Sequence, residues 1–220
     1  MRYFTSDLHI GDKSVARWRG YDDIAEHDAM ILAGLARLQQ TDELWILGDI
    51  CKANVASVCV LREAIACERV HIVVGNHDTA SKFVSCGGFV SVDYYAQVGK
   101  VAVEGYKFVM SHYPMLDWDR AFHGSYMLHG HIHSIPAGGA FSPEAGKSGQ
   151  PSPVADAPIP DVRTNRGFGL RGYNEWNRDN GIRRYDVGVD ANGYLPVSAE
   201  QIVAFLPDDA TWSQMHGIAL

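Results

Sequence analysis

With 220 residues, 46% of them hydrophobic and 20% charged, the chain is long enough for one sizeable core, short for two full domains, and too apolar to be wholly disordered. A formal charge of −7 argues against broad coating of nucleic acid or anionic membrane and confines any contact with a polyanion to a local patch. No stretch approaches the ~18 consecutive apolar residues of a membrane span.

Residues 1 to 10 lead straight into a strand, without the basic stretch, apolar segment and small-residue cleavage site of a secretory leader, so a cytoplasmic protein is expected. That strand, from Tyr3 to Thr5, is followed by Asp7 and His9. A spacing of two puts a carboxylate and an imidazole on one side of an extended backbone, where they can share a cation. The next stretch, Lys13-Ser14-Val15-Ala16-Arg17-Trp18-Arg19, either lines the mouth of a site with cations or forms a solvated basic loop. From Asp22 to Gln40 the apolar residues Ile24, Ala25, Met30, Ile31, Leu35 and Leu38 fall at helical spacing behind Asp22 and Asp23, which suits a covering helix.

Leu44 to Leu47 is a second strand and delivers Gly48-Asp49. Asn54 or a neighbour caps a helix to about Cys67, and Arg69 to Val74 is a third strand, running without a break into Gly75-Asn76-His77-Asp78. This order implies parallel pairing with helical crossovers, so Asp7, Asp49 and Asn76 emerge at one sheet edge. Cys51, Cys59, Cys67 and Cys86 lack CxxC spacing and read as small buried hydrophobes rather than metal ligands or disulfides.

Val92 to Val98, Lys100 to Val103 and Tyr106 to Met110 suggest a second, more antiparallel set of strands, giving two stacked sheets with helices outside. The last of these ends in Ser111-His112, and a further strand from Met127 to Ile132 delivers His131 and His133, again two apart. His27, His71, His129 and His216 read as satisfied core or surface residues, and His123 is left open. Six of the nine prolines lie between Pro136 and Pro160. This is a long loop, an insertion at about 136–165 within a single domain spanning 1–220, either disordered or a flap over the site. Residues 161–184 carry six arginines against Asp161, Glu175 and Asp179, interleaved with Phe168, Tyr173 and Trp176. They form either a strip for phosphates and bases or an ion-paired surface hairpin. Arg184 to Val189 reads as a last core strand, Asn192-Gly193 as a tight turn, and Ser198 to Leu206 as a terminal helix.

The polar strand ends are Asp7, His9, Asp49, Asn76, His77, His112, His131 and His133. Seven suit metal ligation, more than one ion needs, so two metals follow. Two dications ~4 Å apart repel by on the order of 15 kcal/mol at an effective dielectric near 20, which calls for a bridging carboxylate. Asp49 is the candidate. An imidazole-rich set with two carboxylates suits manganese, iron, zinc or nickel better than magnesium.

Asp7-x-His9, Gly48-Asp49, Gly75-Asn76-His77-Asp78, Ser111-His112 and Gly130-His131-x-His133, in this order, resemble the calcineurin-like metallophosphoesterases over residues 5 to 133. The region from Arg184 through Ser198 is also similar to small bacterial and phage members known only as predicted phosphoesterases. The resemblance implies an α/β four-layer αββα sandwich of two mixed sheets flanked by helices, with two divalent ions, manganese first among the candidates. By position, Asp7, His9, Asp49 and His133 would hold one metal, and Asp49, Asn76, His112 and His131 the other. His77 would be catalytic, meeting the phosphate or protonating the leaving oxygen. Asn76, Arg17 and His123 are candidate substrate contacts. The implied activity is hydrolysis of a phosphodiester or phosphomonoester by attack of a metal-bound hydroxide. Its partner is a phosphorylated small molecule or nucleotide. A nuclease docking nucleic acid through 161–184 is one alternative, and a non-catalytic scaffold on the same fold is another. Two positions depart from the pattern. Protein-phosphatase branches carry an aspartate where Lys52 stands, leaving Asp78 to orient the histidine in its place. Small members commonly carry a histidine where this chain has Asp12.

Overall fold

Successive side chains from Leu44 to Leu47 divide between two cores. Leu44 and Ile46 pack with Ile31, Leu35, Val70, Ile72 and Phe83, while Trp45 and Leu47 pack with Phe4, Val73, Phe108, Met110 and Leu128. A strand buried on both faces in this way must lie inside a layered fold, with helices on one side and a second sheet on the other. The computed structural model, which describes residues 1–51, 54–100, 104–137 and 170–217, shows that arrangement.

Among the described residues the strands form two mixed sheets. The first contains β1 (Arg2–Thr5), β2 (Glu43–Ile46), β3 (Arg69–Val73), β4 (Ser91–Asp93) and β9 (Val197–Ser198), in the order β4-β3-β2-β1-β9. β1 to β4 run parallel, and β9 is antiparallel to β1. The second contains β5 (Ala96–Val98), β6 (Phe108–Met110), β7 (Tyr126–His129) and β8 (Arg184–Asp186), in that order, with only β5 antiparallel. Both sheets therefore contain a parallel block, and the carboxyl ends of both blocks meet at one edge.

Crossover helices explain the parallel pairing. α1 (Lys13–Trp18) and α2 (Ile24–Leu35) join β1 to β2, α3 (Val55–Ala64) joins β2 to β3, and α4 (Ala80–Cys86) joins β3 to β4. The caps follow from the sequence: Asp23 accepts the Ala25 amide, Asn54 accepts that of Ser57, and Ser198 forms a reciprocal box with Gln201 at the start of α6 (Ala199–Phe205). The outer face of the second sheet is covered by α5 (Tyr173–Asp179), whose Tyr173 packs edge-on to the buried His129. Among the described residues, no helix is long and apolar enough to cross a membrane.

Several expectations need correction. Val92–Val98 is two strands in two sheets, with the chain crossing at Tyr94-Tyr95, because α4 returns β4 parallel to β3 before β5 begins. The second sheet is mostly parallel as a result. The α2 helix ends at Leu35 rather than Gln40. Cys59 and Cys86 pair as a disulfide between α3 and α4, leaving Cys51 and Cys67 as free buried thiols. Residues 101–103, and residues 138–169 of the Pro/Gly-rich insertion and the following arginine stretch, lie outside the described residues.

Two of the arginines described within 161–184 serve the fold. Arg183 is 2% exposed and donates to the carbonyls of Pro207 and Gly124 and to Asp209, beneath the rings of Tyr126 and Trp212. It ties α7 (Asp209–His216) to the second sheet. Arg184 donates to the Met115 carbonyl and to Asn177. Neither guanidinium is free to dock a phosphate. Replacing Arg183 by Ala leaves several buried acceptors without a donor and is expected to lower unfolding stability by about 2–4 kcal/mol, measured by urea denaturation.

Candidate metal centre

The residues that gather at the shared edge do so through strained turns. Asp7, His9, Asp49, His131 and His133 have φ of 57°, 50°, 54°, 73° and 46°. This left-handed region costs a non-glycine residue roughly 1–3 kcal/mol and is tolerated best by residues such as Asp and His. The spacing of two therefore works differently from the extended backbone expected. In Asp7-Leu8-His9 both polar residues turn left-handed while Leu8, fully buried, anchors the turn in the core.

Two groups result. Asp7, His9 and His133 each offer a ligand atom within 4.8 Å of the others, and so do Asp49, His112 and His131. Asp49 stands between them, with Oδ2 3.6 Å from His9 Nε2 and 3.4 Å from His112 Nε2. Asn76 Oδ1 is 2.9 Å from His112 Nε2. The structure thus brings all seven of these residues together. His77 lies at their rim, with its side chain 46% exposed and Nε2 4.0 Å from Asp49 Oδ2.

The atoms suit a cation. His9 Nε2 is buried without a hydrogen-bond partner, and burial, with His133 and Arg19 nearby, pushes the ring down to about 3. It is a neutral imidazole with a bare nitrogen facing carboxylates. In His112 the Nδ1 atom donates to the Leu47 carbonyl, which aims Nε2 at Asn76 and Asp49. In His133 the Nδ1 atom faces Asp190 at 2.8 Å, which aims Nε2 at Asp7, 3.7 Å away. A partner on one ring nitrogen fixes the tautomer and leaves the other for a metal.

Glycines let these groups approach. A Cβ on Gly130 would lie 2.0 Å from Ser6 Oγ and 2.4 Å from Asp7 Oδ2, so only glycine allows the His131 turn to close on Asp7. Both oxygens of Asp7 then accept the His131 amide.

Several supporting residues were not identified from sequence. Arg19, placed by the sequence reading at the mouth or in a basic loop, is 2% exposed and sits behind the site. It donates to both oxygens of Asp190 and to the backbone carbonyls of Asp7 and Leu8. His27 adjoins it at 2.9 Å and leans in turn on Asp28. Asp190 follows β8 as the proposed ligands follow their strands, so the strand-end rule applied once more would have found it. Asp12 caps α1 by accepting the Ser14 amide. Asp78 does not orient the His77 ring: its carboxylate accepts the amides of Asp49, Ile50 and Gly75 and holds the Asp49 turn. Lys52 lies outside the described residues. Arg17 is exposed on α1 beside Trp18, whose ring packs edge-on to His133. His123 does not join the site. It precedes β7, whereas the ligands follow that strand, so it belongs to the opposite edge of the sheet.

Two mixed sheets packed face to face, with paired carboxylate and imidazole groups at their common carboxyl edge, define a layered α/β domain built around a candidate metal centre. The chain belongs to the calcineurin-like phosphoesterase superfamily, whose domain model matches residues 3–140. It is similar to the gene 66 protein of Mycobacterium phage L5, at 29% identity over 160 residues covering 60% of this chain and 77% of that protein. The gene 66 protein of Mycobacterium phage D29 is 31% identical over 162 residues, 60% of this chain and 78% of that one. Among solved structures, the protein of unknown function AQ665 from Aquifex aeolicus shares the fold, with a TM-score of 0.60 over 94% of this chain and 99% of that chain at 20% identity.

Two predictions follow from the geometry. Replacing Asp190 by Ala removes the acceptor that orients His133 and is expected to weaken one of two metal-binding steps roughly 10- to 100-fold while sparing the other, read by calorimetric titration. The second concerns protons. Burial opposes a charge on His112, but the Asp49 and Asp7 carboxylates prevail and raise it to about 9. Burial likewise opposes charge on Asp49, yet His112 holds it down to about 2. In the metal-free protein, His112 contributes stability that is full below its ordinary 6.5 and fades as pH rises through about 9. Asp49 contributes stability that is full above its ordinary 3.8 and fades as pH falls through about 2. A cation at the second group must displace the His112 Nε2 proton. Metal uptake at about pH 7.5 is expected to release about one proton from this ring, measured by calorimetry in buffers of different ionisation enthalpy.

Proposed function

We propose that the protein is a dinuclear metal-dependent phosphoesterase that hydrolyses a phosphodiester or phosphomonoester. The observation that carries this reading is the position of Asp49 Oδ2, within 3.6 Å of a ligand nitrogen from each group. Asp7, His9, Asp49 and His133 would hold one ion, and Asp49, Asn76, His112 and His131 the other. Manganese, iron, zinc and nickel all suit such a donor set, with manganese the first to try. When bound, two such ions supply Lewis acidity toward phosphoryl oxygens and lower the pKa of water.

The chain's own residues supply the rest. Asp7 and Asp49 offset half of the four positive charges of two dications, leaving a net attraction for an anionic ester. The Asp49 carboxylate is itself fixed by the His77 amide through Oδ1. The exposed His77 ring stands at the rim, placed to donate to a phosphate oxygen or to give a proton to the leaving oxygen. Arg17 and Asn76 are proposed as further substrate contacts. A phosphorylated small molecule or nucleotide in the cytoplasm is the substrate this reading favours. Docking of nucleic acid along 161–184, the second reading, would have to do without Arg183 and Arg184, which are engaged inside the fold. A non-catalytic scaffold is disfavoured because such a role would not require five ligand residues to keep a costly backbone conformation.

The test pairs the wild type with His77→Ala, both loaded with manganese and offered a generic aryl phosphodiester and an aryl phosphomonoester. Wild-type protein is expected to hydrolyse at least one. The variant is expected to keep its metal while kcat falls roughly 10²- to 10⁴-fold. Unchanged turnover would refute the role of His77, and a fully loaded wild type that cleaves neither ester would refute the phosphoesterase reading.

A further inference from the structure

One exposed tyrosine borders the second ligand group, and two more lie at the same edge of the sheets. Tyr113 is 48% exposed, and its ring centroid lies 5.1 Å from that of His112 and 4.6 Å from that of His131. It is held in place by its amide, which donates to Ser111 Oγ, and by Pro114 after it. Tyr94 and Tyr95, 71% and 42% exposed, occupy the crossing between the two sheets. Asp93 accepts the Val74 amide on one side of this crossing, and Ala96 pairs with Met110 on the other. Continuing those registers places Tyr94 and Tyr95 between the strand ends that deliver Asn76 and His112. Gln97 Nε2 donates to the Tyr95 hydroxyl and restrains its ring.

We infer that Tyr113, extended by Tyr94 and Tyr95, is a stacking subsite for an aromatic group attached to the phosphate ester, and that the ester is a nucleotide or oligonucleotide whose base rests there. The inference rests on the phosphoesterase reading and narrows its substrate class. Contiguity is the first argument: a ring in contact with two ligand imidazoles of the second group meets whatever projects from a phosphate held at that group. Chemistry is the second. Tyrosine offers a large, stiff, amphipathic face, and a base of any identity can stack on it. Charge is the third. The strip Tyr94-Tyr95 and Tyr113-Pro114 contains no carboxylate, imidazole, ammonium or guanidinium group, so it suits the uncharged end of a ligand whose anionic end is drawn to the metal groups.

The experiment compares adenosine 5′-monophosphate with ribose 5-phosphate, which carries the same phosphate and sugar without the base. Each is titrated calorimetrically into the manganese-loaded full chain, and where a ligand is turned over the same ratio is read in kcat/KM. The base is expected to tighten binding roughly 5- to 150-fold, the range to which stacking on one aromatic ring converts. Tyr113→Leu should abolish that preference while metal content stays at the wild-type value, and Tyr113→Phe should keep it. Equal binding of the two ligands by the wild type, or a preference that survives in Tyr113→Leu and in a Tyr94→Leu, Tyr95→Leu double variant, would overturn the subsite. Failure of the phosphoesterase reading would show separately, as absent hydrolysis of any ester by loaded protein, and would leave the binding comparison standing.

Discussion

Left-handed backbone at five of the seven proposed ligands is the constraint on which the rest of the structure depends. At roughly 1–3 kcal/mol each, these turns amount to a sum comparable with the whole stability of an ordinary domain, so the surrounding contacts must hold them. They do so with polar side chains set behind the turns. Asp78 takes three backbone amides around the Asp49 turn, and Arg19 takes the carbonyls of Asp7 and Leu8. Asp7 in turn takes the amide of His131, and the buried Asp186 takes the amide and hydroxyl of Ser134, one residue beyond His133. Loops from β1, β2, β3, β7 and β8 are joined through side chains as well as strand pairing.

The same network explains how a buried cluster of charges persists. Asp190 lies between Arg19 and His133 and is held well below the usual carboxylate range: burial pushes it up, but the Arg19 guanidinium and the hydrogen bond from His133 outweigh that. Removing either partner would leave a buried charge unmatched, which costs more than the pair itself contributes. The chain Asp28, His27, Arg19, Asp190, His133 thus runs from the surface to the first ligand group without a break in hydrogen-bonded partners. Rigidity at the site follows from chemistry behind it.

Much of this was legible in the sequence, and the reason is local. A Val- and Ile-rich strand ending in Gly and polar residues announces both its burial and its edge, so β1, β2, β3, β6 and β7 and the side chains they deliver could be placed before any coordinates. The resemblance added the grouping of ligands, which strand ends alone do not give. What failed depended on distant contacts. Arg19 looks like one of several surface cations until Asp190, far along the chain, is folded against it. Arg183 and Arg184 read equally as part of a docking strip or of an ion-paired hairpin until α7 and the Met115 loop supply acceptors. Tyr94-Tyr95 reads as the middle of a strand because β-propensity does not show where a chain changes sheets. Cys59 and Cys86 are separated by 27 residues, and only the packing of α3 on α4 brings them together.

The measurement that bears most directly on the account is a manganese titration of the metal-stripped full chain followed by electron paramagnetic resonance. A single Asp49 carboxylate facing both groups predicts two equivalents bound per chain and, at saturation, a magnetically coupled pair. Saturation at one equivalent, or two ions with independent spectra, would contradict a centre organised around Asp49.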